Sequence, residues 1–96
     1  MDDAGLDALT TAVERMHDCR ATWVESIPVT ETFRGEVAWQ GEVQRFTLAG
    51  HPKAREAFAW SHLVNETGRR RFYAVLAIAP VVDAVTAVRA AIASGS

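Results

Sequence analysis

RFYAVLAIA, residues Arg71 to Ala79, is an apolar run entered from Arg71, closed by Pro80 and joined to the polar, glycine-containing segment NETGRRR that ends on that same arginine. Its length and its β-branched and aromatic content read as a well-buried strand. A buried strand needs paired neighbours, and the nearest candidate is AFAWSHL (residues 57–63), joined to it through that polar turn. The pairing decides an otherwise divided segment, because KAREAFAWSHL is also rich in residues that favour helix. As a helix it would cluster Ala54, Phe58 and Ser61. As a strand, over about 55–63, it sets Phe58, Trp60 and His62 on one face and Ala57, Ala59 and Ser61 on the other. The strand reading is adopted, with its partner over about 71–79.

Working outward, EVAWQGEVQRFTL places Val37, Trp39, Gly41 and Val43 on one parity, then Phe46 and Leu48 on the other. Regular alternation does not change faces within a strand. Either a bulge lies near Gln44 and Arg45, or Gln40-Gly41 is a hairpin turn. One long bulged strand over about 36–48 is the reading taken. Gly35 offers the turn before it. The preceding VESIPVTETF, about 24–33, is rich in strand formers but holds Pro28, which confines it to a sheet edge.

At the N-terminal end, Leu6, Leu9, Val13 and Met16 recur at helical spacing and predict a helix over about 5–21. The acids Asp2, Asp3 and Asp7 suit the positive end of its dipole and Arg20 the negative end. At the C-terminal end, Asp83 is a plausible N-cap, and Val85, Val88 and Ile92 predict a helix over about 84–93, with 94–96 as a frayed tail. The whole chain, 1–96, is expected to form one α+β domain of two layers. In that expectation three or four antiparallel strands form a meander, with the N- and C-terminal helices on one face.

Composition agrees with a single small domain: 96 residues, 49% hydrophobic and 23% charged. A formal charge of −2 gives no general attraction to phosphate backbones or anionic lipid. One cysteine, Cys19, makes no internal disulfide and falls short of a structural zinc site. The acidic start MDDAGLDALT has no basic-then-apolar secretory pattern, and no apolar run nears the roughly 20 residues that cross a bilayer, so a cytoplasmic protein with no membrane partner is expected. Many arginines against the single Lys53, with abundant alanine, suggest a bacterial source with a GC-rich genome.

The run 71–79 is apolar on both parities, with Phe72, Ala74, Leu76 and Ile78 on one and Tyr73, Val75 and Ala77 on the other. Two helices on one face leave the second face to be covered. Self-association is the simplest cover for so short a chain, so a homodimer or another protein partner is expected on that helix-free face. Its anchors would be Trp39, Trp60, His62 and Tyr73, flanked by Arg69, Arg70 and Arg71.

Candidate chemistry is sparse. His17 and Cys19 are two apart on a helix, about 200° around its axis, and cannot share a ligand. His51 and His62 would form an enzyme site only if the loop folded back across the strand. No histidine pair has the close spacing of a metal site, so no cofactor is implied and no residue receives a catalytic role. The triple arginine Arg69-Arg70-Arg71 is suited to gripping an oxyanion, and Phe72 and Tyr73 behind it to stacking on a base, which makes nucleic-acid binding an alternative.

The stretches GHPKAREAFAW and RRFYAVLAIAPVVDAVTAVRAAI resemble a family of small bacterial proteins of unknown function, over most of the chain. The α-β-β-β-α order also resembles the double-stranded-RNA-binding domain, which would imply reading of RNA phosphates. His51 matches that family's loop histidine. The segment VVDAVTAVRAAI, however, has Asp83 and a single late Arg89 where that family carries lysines. The function expected from the sequence is a small binding or interaction module, with nucleic-acid binding and a His51/His62 enzyme as alternatives.

Overall fold

The computed structural model of the chain describes residues 3–64 and 69–93. Its elements run α1 (Asp3–His17), β1 (Arg20–Phe33), β2 (Glu36–Ala49), β3 (Glu56–Val64), β4 (Arg69–Leu76) and α2 (Ala84–Ala93). The strands form one antiparallel sheet in the order β1-β2-β3-β4. This is an α+β meander flanked by terminal helices, with β1 and its Pro28 at a sheet edge. The fourth strand is one more than the α-β-β-β-α order contains.

Local chemistry sets the boundaries. Helix α1 stops four residues short of the expected Ala21, because Asp18 adopts a left-handed φ of 50° and the Cys19 amide donates back to the Glu14 carbonyl at 3.3 Å. That closure satisfies a helix-end carbonyl and turns the chain directly into β1, so Arg20 and Ala21 are strand residues. The β1–β2 turn is Arg34-Gly35, with φ values of 53° and 81°, the two positive angles of a type I′ hairpin loop. Gln40-Gly41 lies inside β2. Helix α2 begins with a reciprocal cap, in which the Thr86 amide donates to Asp83 Oδ1 at 2.8 Å and the Asp83 amide to Thr86 Oγ1 at 3.0 Å.

The helices occupy opposite faces of the sheet, which corrects the two-layer expectation of both helices on one face. Leu9 and Val13 of α1 pack with Phe46, Ala57 and Ala59. Ala84, Ala87 and Val88 of α2 pack with Val43, Phe58 and Trp60. Neighbouring β3 residues point to opposite sides, so Ala57 and Ala59 face α1 while Phe58 and Trp60 face α2. The physical reason is the double apolar parity of β3 and β4: each face exposes its own apolar stripe, and each is buried by one helix.

The same arrangement explains the apparent change of parity in β2. Trp39 and Val43 belong to the α2 side, Phe46 and Leu48 to the α1 side, and both are core. The bulge expected near Gln44 and Arg45 lies across from them in β1, where Val24 is the extra residue between the pairs Trp23–Phe46 and Glu25–Arg45. A second irregularity leaves Ala38 unpaired between Glu31–Trp39 and Thr32–Val37. Strands β2 and β3 pair from Gln44–Ala59 to Thr47–Glu56, whereas β1 and β2 pair along nearly their full length. Beyond Gln44 and Ala59 the two hairpins therefore diverge, and side chains bridge the gap.

Candidate functional site

The bridge is aromatic. Trp60 of β3 and Tyr73 of β4 are direct cross-strand partners, stacked with centroids 5.4 Å apart and planes 13° from parallel. His62, two residues along β3, also stacks on Tyr73, with centroids 5.4 Å apart and planes 28° from parallel. Trp39 reaches across from β2 and meets Trp60 edge to face at 5.8 Å. Period-two spacing puts Trp60 and His62 on one face, and antiparallel pairing brings Tyr73 beside them. Offset and edge-on contacts of this kind are the favoured geometries of aromatic quadrupoles.

Gly41 makes room for the bridge. A Cβ built there would lie 3.1 Å from the Trp39 indole, closer than a side chain tolerates without moving the ring. Trp39 therefore leans along its own strand over Gly41 and toward Trp60. Trp60 is only 3% exposed, Trp39 and Tyr73 are half-buried, and His62 is exposed. The row thus grades from a buried floor to a wet rim.

Helix α2 covers this row incompletely. Between the four rings and its C-terminal half, where Val88, Ala91 and Ile92 face the sheet, lies a cleft of about 240 Å³. Ala38, the bulge residue of β2, lines the cleft and also a neighbouring depression of about 290 Å³ that includes Phe33 and Arg89. Arg89 Nε pairs with Glu31 Oε1 at 2.7 Å there.

The arginine run does not act as a unit. Strand alternation sends Arg70 to the α1 side, where its Nη1 donates to Ser61 Oγ at 3.2 Å. Arg71 goes to the α2 side as the direct partner of His62. The side chain of Arg69, like the NETG turn, lies outside the described residues. Arg70 and Arg71, two members of the three-arginine grip expected from the sequence, therefore lie on opposite faces.

The histidines also separate. His51 sits in the β2–β3 loop, where its Nδ1 accepts the Lys53 and Ala54 amides at 3.1 and 3.0 Å. Its ring lies edge-on to His17 of α1, 6.2 Å away, and His17 Nε2 contacts the Ala74 carbonyl at 2.9 Å. His62 stacks on the opposite side of the sheet, so His51 and His62 do not share a cleft. The Cys19 thiol is pushed up from its ordinary pKa, first by burial and then by the negative charges of Glu14 and Asp18. A raised pKa leaves less thiolate, which argues against an activated nucleophile.

One polar arrangement on the α1 side gave no sequence signal. Trp23 Nε1 donates to Gln44 Oε1 at 2.8 Å, and Gln44 Nε2 donates to Ser26 Oγ at 3.1 Å. The relay satisfies the buried amide of Gln44, and it pins β1 against β2 beside the Val24 bulge. Among the described residues, no group of three or more His, Cys, Asp or Glu is placed to hold a metal ion, and no helix is long and apolar enough to cross a membrane.

No family model, no curated protein and no solved structure matches the chain.

Proposed function

We propose that the protein is a small binding protein whose site is the aromatic cleft under the C-terminal half of α2, and that it takes up a flat, ring-sized organic group. The observation that carries this reading is the continuous row Trp39–Trp60–Tyr73–His62 beside unfilled space. At about 240 Å³ the cleft exceeds the roughly 150 Å³ apolar cavity that takes up benzene. It falls short of the roughly 300 Å³ at which pockets for drug-sized ligands begin. A one- or two-ring ligand fits that interval and would gain aromatic contacts of about 0.5–1.5 kcal/mol each.

The helix-free face that was expected to drive self-association is replaced, among the described residues, by a helix on each side. The aromatic anchors named for that face thus become the walls of a cleft within one chain. Binding is favoured over catalysis because none of Cys19, His17 and His51 lines the cleft, and His17 is engaged instead with the Ala74 carbonyl.

Neutral indole tests the reading, with the protein's own tryptophan indole N–H signals observed by NMR in labelled protein. The signals of Trp39 and Trp60 are expected to move in a saturable manner. That of Trp23, held by Gln44 on the opposite face, is expected to stay. Trp39→Ala should weaken binding at least fivefold. Equal movement of all three signals, or none at millimolar indole, overturns the proposal.

A further inference from the structure

We infer that the ligand of this cleft is an aromatic monoanion, its ring placed against Trp39 and Trp60 and its oxyanion held at the rim by Arg71. The inference rests on the aromatic cleft being the binding site. Three placements support it. First, Arg71 is the direct cross-strand partner of His62 and lies two residues before Tyr73 on the same strand, so it shares their face. Directly opposed residues have Cβ atoms about 4.5–5.5 Å apart, well within the reach of an arginine arm. Second, Arg71 is exposed and, among the described residues, has no ion-pair partner. Third, Arg89 does not compete for the charge, because it lines the neighbouring depression rather than the cleft and is paired there with Glu31 at 2.7 Å. Among the described residues the cleft lining holds no Arg, Lys, Asp or Glu, and Arg71 stands beside its His62 rim as an available cation, in a chain of net charge −2.

A planar guanidinium offers two parallel donors to a carboxylate or sulfate. His62 adds an imidazole to the same rim, stacked on Tyr73. The pair His62–Arg71 lies two residues beyond Trp60–Tyr73 on the ladder, about 7 Å along the strands, which asks for a ring with a short acidic arm rather than a bare ion. Among the described residues Arg71 is the one unpaired cation beside this rim, and a single negative charge matches it.

The test compares indole, indole-3-acetate, 3-indoxyl sulfate and the cationic indole-3-ethylamine by calorimetry and by the Trp39 and Trp60 N–H shifts. At least one of the two anions is expected to bind tenfold or more tightly than the amine, and whichever binds more tightly identifies carboxylate or sulfate as the oxyanion. Arg71→Gln should reduce that preference to within about twofold while indole still binds, which also shows the variant to be folded. Arg70→Gln, on the opposite face, should leave the preference intact. If indole binds but the anions gain nothing over the amine, or if Arg71→Gln keeps the preference or Arg70→Gln abolishes it equally, the inference is overturned and the cleft stands. If none of the four probes binds, the cleft itself is refuted as the site.

Discussion

Placing the helices on opposite faces makes a quantitative demand on stability. Val13 of α1 and Val88 of α2 are 0% and 1% exposed, and they belong to separate packing clusters with no buried member in common. Truncating either valine to alanine removes two methyl-sized groups worth about 0.8 kcal/mol each, plus a cavity contribution, or about 2 kcal/mol in total. A 96-residue domain has roughly 5–14 kcal/mol of stability, so the double variant remains folded and measurable. Sites without shared partners add to within about 0.5 kcal/mol, so Val13→Ala with Val88→Ala should cost about 4 kcal/mol. Urea unfolding reads this directly, with the slope m held constant as the check on unfolded-state effects. Trp23 reports on the α1 side and Trp39 and Trp60 on the α2 side, so coincident transitions would support two-state treatment. The control pairs Val13→Ala with Phe46→Leu, two residues of one cluster, and should show a coupling above about 0.5 kcal/mol. A coupling above about 1 kcal/mol between Val13 and Val88 would mean that they share a core, and would refute the opposite-face arrangement.

Two further outcomes follow from local geometry. Gly41→Ala sets a methyl group 3.1 Å from the Trp39 ring at a position without positive φ, so the cost is displacement of the indole rather than backbone strain. It should destabilise by about 1–2 kcal/mol and move the Trp39 N–H signal, and an unshifted signal with unchanged stability would contradict the packing described. The Asp83 carboxyl is held below its ordinary pKa of 3.8, chiefly by the Thr86 amide and then by the Thr86 hydroxyl. A folded pKa below the unfolded one gives stability that is complete above the unfolded value and lost as pH falls through the folded value. Asp83→Asn cannot titrate, so the stability advantage of the wild type over it should shrink between about pH 5 and pH 2, and a constant difference across that range would count against the cap.

Signals confined to one segment were legible in advance. Pro28 marks an edge strand because it lacks a ladder donor, and β1 is at the edge. Asp83 marks a helix start, and its oxygen caps Thr86. The strand reading of AFAWSHL rests on RFYAVLAIA, which is apolar on both parities and requires a partner, and β3 and β4 pair from Ala57–Leu76 to Val64–Arg69. The end of α1 at His17 is not legible in the apolar periodicity, because the left-handed turn at Asp18 is a single-residue event.

The candidate site divides in the same way. Trp39, Trp60, His62 and Tyr73 were named as one surface from parity and pairing alone, and the structure brings their rings into contact. Their cover was missed. The pattern of Val85, Val88 and Ile92 shows that α2 has an apolar side without showing which side of the sheet receives it. Arg70 and Arg71 illustrate the complementary point: adjacent charges look like one cluster in a string, and a strand sends neighbours to opposite faces.

By itself, then, the sequence determined the kinds of element, their order, the antiparallel pairing and which residues share a strand face, because each depends on steric preferences and periodicities spanning a few residues. Only the tertiary structure decided that α1 and α2 lie on opposite faces, that Arg71 parts from Arg70 to join His62, and that an aromatic row becomes a cleft instead of a bare surface. Those outcomes depend on how the connections between the helices and the sheet route the chain around its edges, and on which of two apolar stripes each helix buries. Burial is non-directional, so it requires that both stripes be covered without specifying from local sequence which helix covers which.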